Sequence, residues 1–462
     1  MANSGHFRLT GDRIIVFFGD DSVLIPQTHS RIPFMNNRQL LYALLVAGMS
    51  LGTAWAIRGQ FGHEQGAAWA GGIGGLSIVL IAKRKDWYAK AFQLALASAA
   101  GWGVGGIISY GKVVGFARGL EFGNVYYGFL MLAVIGGLFG LMGGGLFGLT
   151  LASTREKPVL WPQLITEMTA GAIIFYYLLI EQLGWLMTPP RSEAWAACFG
   201  MTVALFWYMI RHEQRSSMRL AVFAGLGGGF GFAFGNFLQV MGNVSGIHFN
   251  FWNVMEYSIG FFGGAGMAYG TFTSEWPTSA YEPAPRNRLA AIVILTLIIP
   301  FVVWDQSFET KRLVDTIQGF NTLADTAGIT VAVQWTALLL VVALAGYAIR
   351  RYYISAKTLG TDLEYNGIQL FFFLNLGLYT IFSILITAAF MSLYRIEQYL
   401  YILNVVILGF LMKKTQASFS NRGLNISRWA INFAFIIAIF AILTAVAIST
   451  HGELNGANRR FE

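Results

Sequence analysis

The sequence predicts an all-α polytopic integral membrane protein of about 13 transmembrane helices, with a tandem parallel repeat of four helices (1–4 and 5–8) followed by a C-terminal five-helix bundle. Three observations predict it. Of the 462 residues 55% are hydrophobic and only 12% charged, and a mean hydropathy of +0.56 is too high for a water-soluble globule of ordinary surface. The apolar residues also gather in runs of about 20, each long enough to cross about 30 Å of hydrocarbon. Finally, sliding the chain against itself by 124 residues aligns LALASAAGWGVGG (94–106) with MRLAVFAGLGGGF (218–230).

Residues 1–34 stand apart from this pattern. RIIVFFGDD (13–21) has too short an apolar run for a secretory signal and ends in Asp20 and Asp21, so no cleavable signal peptide is expected. Met35 followed by NNRQLLYALLVAG would be an ordinary start for a membrane protein. The segment therefore reads as a cytoplasmic extension, either the product of a misplaced start codon or a small hairpin turning at Gly19 and Asp20.

Breaks of charge, Pro and Asn then divide the apolar runs into spans near 39–57, 67–83, 91–110, 127–152, 163–187, 193–210, 218–241, 252–273, 289–305, 327–349, 367–391, 396–412 and 429–449. The segment 396–412 is short and Tyr-rich at its start; read as interfacial, it lowers the count to twelve. On this division residues 35–160 form the first repeat, 161–280 the second, and 281–462 the C-terminal bundle.

The repeat register pairs Leu96 with Leu220, Ala100 with Ala224, Gly101 with Gly225 and Gly105 with Gly229, and continues into the next span with Gly136 on Gly260 and Gly140 on Gly264. Many glycines stand at i, i+4 intervals, among them Gly48 and Gly52, Gly136 to Gly148, Gly227 to Gly235, and Gly260 and Gly264. This spacing lets helix backbones approach closely in lipid. A second reading makes the doubled glycines at 71–72, 74–75 and 143–145 breaks or hinges around a site.

Orientation follows from the basic residues. Lys83, Arg84 and Lys85, Arg155 and Lys157, Arg211, Arg215 and Arg219, Arg286 and Arg288, Arg350 and Arg351, and Lys413 and Lys414 all fall on one side. The positive-inside rule makes that side cytoplasmic, with the N-terminus inside and the C-terminus outside, in a bacterial inner (plasma) membrane. Trp185, Trp304, Tyr352 and Tyr353 read as interfacial anchors.

Composition also excludes. The net charge of +8 lies in short clusters between spans rather than along one face, so nucleic acid is not an expected partner. Cys198 is the sole cysteine, which rules out an intrachain disulfide and a cysteine-rich metal site. No nucleotide-binding loop, dinucleotide fingerprint or nucleophile elbow occurs in a meaningful context, and no cofactor is expected. His63, Glu64, His248 and Glu256 carry zinc-ligand atoms but lack a His-Glu-x-x-His spacing, so no metal site is expected.

The chemistry is concentrated in the links predicted to face outward. GTAWAIRGQFGHEQGAAWAGG (52–72) offers Arg58, Gln60, His63 and Glu64. The link between spans 3 and 4 offers Lys112, Arg118, Glu121 and Asn124, and that between spans 7 and 8 offers His248, Asn250, Trp252 and Asn253, with Glu256 about a turn into span 8. These segments alternate charge with Gly and aromatics, a composition suited to backbone lining a cavity. Arginine anchors carboxylate or phosphate through a bidentate fork, aromatic rings offer faces to a sugar, and His63 and Glu256 suit proton coupling. The bland alternatives are a local Arg58–Glu64 ion pair, an exposed histidine, and helix-end placement.

The expected function is a secondary transporter or permease for a small polar solute, an organic anion or sugar-like, with its site open to the outside. Its partners would be the bilayer, the solute and, as one option, further copies of the chain. The alternatives are a membrane-embedded transferase or hydrolase acting at the outer face on a lipid-linked or acyl substrate, and a non-catalytic assembly subunit.

Overall fold

The computed structural model describes residues 7–10, 13–18, 21–25, 37–278, 283–320, 325–355, 363–422 and 425–461. The chain divides into two compact units, Met1–Asn36 and Asn37–Glu462. In the first, β1 (Phe7–Thr10), β2 (Arg13–Phe18) and β3 (Asp21–Ile25) form an antiparallel meander, with Phe7 opposite Val16 and Phe18 opposite Asp21. The β2–β3 pair is the hairpin anticipated there, and it corrects the all-α reading for this short unit. Gly19 and Asp20, its expected turn, lie outside the described residues.

The second unit is helical. Among its described residues eleven helices are long and apolar enough to cross a membrane. They are α1 (Asn37–Arg58), α2 (His63–Ala82), α6 (Phe122–Ala152), α7 (Trp161–Gln182), α8 (Ser192–Arg211), α9 (Arg215–Val244), α11 (Pro285–Ser307), α13 (Thr326–Ser355), α14 (Tyr365–Ile386), α15 (Ile396–Lys414) and α16 (Ile426–Thr450). The helices α3 (Lys85–Ala89), α5 (Gly111–Phe116) and α12 (Thr310–Gln318) are short.

Two expected spans are helices outside that set. The run 91–110 is helical only as α4 (Ala91–Gly105), 15 residues long and so about 22 Å at about 1.5 Å per residue. The run 252–273 is α10 (Phe251–Phe272), which carries Asn253 and Glu256 in its first two turns.

Six helices close a ring in the order α1, α2, α4, α6, α9, α10 and back to α1. The glycines explain how tightly it closes. A Cβ on Gly48 of α1 would lie 2.8 Å from the Phe261 carbonyl of α10, and one on Gly264 would lie 2.5 Å from the Ala47 carbonyl of α1. Gly136 and Gly140 of α6 meet the backbone of Gly228 and Ala224 of α9, and Gly231 and Gly235 of α9 meet Ser258 and Met255 of α10. Side chains there would force the backbones apart and forfeit the dispersion contacts that hold helices together in lipid.

The hinge reading of the doubled glycines is overturned: α2 runs unbroken through 71–75 and α6 through 143–145, because these glycines too are helix contacts. The helical irregularities lie elsewhere, as π turns at Tyr177–Gln182, Ile294–Ile298 and Arg350–Ser355. The second just precedes Pro300, which has no N–H to continue an α-helical ladder.

The two expected repeats pack differently. Helix α1 sits in the ring between α2 and α10, whereas its counterpart in the repeat register, α7, packs chiefly on α8 outside the ring. Helices α13, α15 and α16 form a looser periphery that exposes Trp335, Leu339, Phe410 and Phe435. Such a surface suits hydrocarbon rather than water.

The links gather at two opposite ends. At one, Glu64 meets Arg191, Ser109 donates to the Thr188 carbonyl, Arg312 donates to the Gln60 carbonyl, and Leu454 N–H bonds the Arg118 carbonyl. At the other, Lys83 donates to the Lys413 carbonyl, Arg84 to that of Pro277, and Lys90 to those of Thr150 and Leu151. Links separated by one span never bond to each other in these sets, as expected of a chain that alternates direction.

Candidate functional site

The Arg58 end of the ring holds a buried charged cluster. Helix α1 stops at Arg58, where Gly59 follows and Gly62 stands just before α2 restarts at His63, two residues that disfavour continued helix. Gly66 leaves room for the Arg58 side chain to turn inward: a Cβ there would stand 2.9 Å from Arg58 Cγ. Arg58 is 1% exposed and Glu256, from the second turn of α10, 4%.

Arg58 Nη1 donates to the Tyr110 hydroxyl at 3.0 Å and lies 3.3 Å and 3.5 Å from the two oxygens of Glu256, while the Tyr110 hydroxyl donates to Glu256 Oε1 at 2.8 Å. Below the triad lies an aromatic floor. The guanidinium rests 4.8 Å from the Trp55 ring, Trp55 meets Trp102 at 5.0 Å and Phe139 at 5.6 Å, and Phe232 meets the Tyr110 ring edge-on at 4.9 Å.

The pairing leaves capacity unused. A guanidinium has five N–H donors, but Nη1 makes every contact to Glu256 and Tyr110, Nε is buried without a partner, and Nη2 has only His63 Nδ1 at 3.5 Å. The Asn253 side-chain nitrogen is likewise buried and unpartnered, and on α9 Asn236 Oδ1 and Gln239 Nε2 are too, although Asn236 and Gln239 bond each other at 2.9 Å. Unmet donors and acceptors beside a buried ion pair are costly in an apolar interior, and a polar ligand would relieve that cost. On the far side Phe61, Trp69 and Tyr379 pack together, and the Tyr379 hydroxyl donates to the Gly66 carbonyl at 2.9 Å.

The sequence candidates thus separate into groups. Arg58, Asn253 and Glu256 converge. His63 is exposed at the rim, edge-on to Tyr110 at 5.2 Å. The local Arg58–Glu64 pair is not formed; Glu64 pairs with Arg191 at 3.5 Å near the surface, because the Arg58 side chain turns into the ring instead. Gln60 is half-buried and its carbonyl accepts from Arg312 at 2.8 Å.

The link between spans 3 and 4 serves the C-terminal tail. Asn124 is buried and its Oδ1 accepts from Arg460 and Phe461 N–H at 2.6 Å and 2.9 Å, while its Nδ2 donates to Glu121 at 3.0 Å and to the Phe461 carbonyl. Arg118 donates to the Asn455 carbonyl at 3.2 Å and lies 5.9 Å from the exposed Trp252 ring; Lys112 is exposed. His248 is exposed and Asn250 precedes α10, half-buried. For Arg118 and Asn124 the expected convergence with Arg58 is replaced by contacts to residues 454–461, an irregular segment whose backbone groups need hydrogen-bond partners, while Lys112 and His248 stay exposed.

Tyr110 is the member of the triad that sequence reading misses. In ISYGK at a span end it looks like an interfacial anchor, and its role depends on α4 stopping at Gly105. Asn236 and Gln239 carried a legible signal, two amides three residues apart within an apolar span. No protein-family model, curated protein or solved structure matches this chain.

Proposed function

We propose that the chain is a secondary transporter or permease for a small polar solute bearing an anionic group. It would cross a bacterial plasma membrane thirteen times with its N-terminus in the cytoplasm. The observation that carries this reading is the buried, incompletely satisfied Arg58 beside Glu256 and Tyr110 at one end of the helical ring. A carboxylate or phosphate on the solute would take the free side of the guanidinium, where bidentate donors suit it. Glu256, weakened as a partner of Arg58, would then accept a proton, with His63 at the rim as the exchange group. Asn253 would bond a hydroxyl or carbonyl of the solute.

The test is uptake into proteoliposomes from a panel of organic acids, amino acids and sugars, comparing the parent with Arg58→Ala and Glu256→Gln. The reading expects uptake of at least one anionic solute by the parent and none by either variant. Chemical conversion of a lipid-linked or acyl substrate without transmembrane movement would replace it with the enzyme reading. Membrane orientation is checked by cysteine labelling at positions 63 and 84, which should react from opposite sides.

A further inference from the structure

A cavity that shares no residue with the Arg58 cluster runs along α4 from the Lys90 end of the ring. It encloses about 620 Å³ between α4, the end of α6, the α7–α8 pair and the start of α11. Its long walls are apolar: Leu96, Ala97, Ala100 and Val104 of α4 face Leu164 and Met168 of α7. Ala97 and Ala100 present small side chains to this space, and α7 packs chiefly on α8 rather than on the ring.

One end of the cavity differs in chemistry. Lys90, Gln93, Ser153 and Asn287 line it. The side-chain oxygen and nitrogen of Gln93 are both buried without a hydrogen-bond partner, a costly state for an amide next to hydrocarbon. Arg288, next to Asn287, has a buried Nε without a partner. Arg155, Lys157 and Arg286 are exposed nearby in sequence, against the carboxylates of Glu156 and of Asp86, the latter paired with Arg84. From Leu96 to Val104 the apolar wall rises about 12 Å along α4 at about 1.5 Å per residue, enough for the upper part of an extended acyl chain, with the polar end at Lys90 and Gln93 below it.

We propose that this cavity binds one anionic phospholipid of the surrounding bilayer, its acyl chain along α4 and α7 and its head group at Gln93 and Asn287. The unmet amide defines the head group further. Gln93 Nε2 would donate to a phosphate oxygen and Oε1 would accept from a head-group hydroxyl, so a phosphoglycerol head satisfies both atoms where a choline head satisfies one. The basic residues around the opening match the phosphate's charge. A lipid wedged here would complete the packing between α7 and the ring.

The experiment uses the full chain purified from nanodiscs of equal phosphatidylglycerol and phosphatidylcholine, with retained lipid read by native mass spectrometry. The wild type should keep one phospholipid through detergent exchange, with phosphatidylglycerol favoured at least tenfold. Ala97→Trp, which fills the apolar slot, should lower occupancy at least tenfold; Gln93→Leu should keep a lipid but reduce the head-group preference to less than threefold. A wild type that retains no lipid or shows no preference overturns the proposal, as does a folded Ala97→Trp with unchanged occupancy. If Ala97→Trp does not fold, Gln93→Leu decides, and an unchanged head-group preference overturns the proposal.

Discussion

Arg58 and Lys90 are both buried cations, one at each end of the helical ring, and they are satisfied in different ways. Lys90 donates its ammonium to the carbonyls of Thr150, Leu151 and Ser153 at 3.1, 2.8 and 3.4 Å. These belong to the last turn of α6 and the residue after it, where carbonyls have no intrahelical donors and the helix dipole favours a cation. Lys90 is a helix cap built from a neighbouring segment. Among the described residues the Arg58 side chain meets only side chains, Tyr110 before α5, Glu256 of α10 and, at 3.5 Å, His63 of α2, and its Nε has no partner. A cation saturated by backbone holds a helix in place, whereas Arg58 keeps donors to spare, the feature on which the proposed function rests.

Removing one partner from each cation separates these roles. Glu256→Gln leaves a buried charge uncompensated, and a loss of about 3–5 kcal/mol is expected, together with loss of uptake. Thermal unfolding in detergent and proteoliposome flux would measure the two. Lys90→Met is expected to cost about 1–3 kcal/mol, since several buried carbonyls lose their donor, while leaving uptake per folded molecule within about twofold of the parent. If Lys90→Met abolished flux in folded protein, the assignment of Lys90 to structure alone would be wrong.

Acidity sharpens the contrast further. Burial pushes the Lys90 ammonium down to about 8, below the ordinary lysine value. Above about 8 the folded chain therefore gives up a proton that the unfolded chain keeps until about 10.4, so the unfolded state binds more protons and stability rises with pH. Between pH 7.5 and 9 the parent should gain about 1 kcal/mol relative to Lys90→Met, read from unfolding midpoints. The smallest effect on stability belongs to His63→Ala, within about 0.5 kcal/mol because the residue is exposed; its expected consequence is loss of the pH dependence of uptake.

Much of the helical layout was legible because hydropathy and length are local properties. Eleven of the thirteen apolar runs overlap helices long and apolar enough to cross a membrane, and the glycines at i, i+4 intervals lie at helix contacts. The failures are equally physical. Helix α4 ends at Gly105, before Gly106, rather than at Tyr110, and that early stop is what frees Tyr110 to enter the cluster. Arg58 and Glu256 each stood out as ionisable groups in apolar sequence, but their pairing spans 198 positions and rests on the α1–α10 contact, which no local pattern records. Glu64 and Asn124, as prominent in sequence, are taken by Arg191 and the C-terminal tail.

The central claim is that the Arg58–Glu256 pair works on a solute rather than merely fastening α1 to α10. The double variant Arg58→Leu/Glu256→Leu tests it most directly, because replacing both members of a buried pair with apolar residues leaves no orphaned charge and is often close to neutral for folding. The account predicts an unfolding midpoint within a few degrees of the parent and no measurable uptake in proteoliposomes. A folded double variant that still transports the solute at the parent's rate would show that the pair is a fastener, and would contradict the claim.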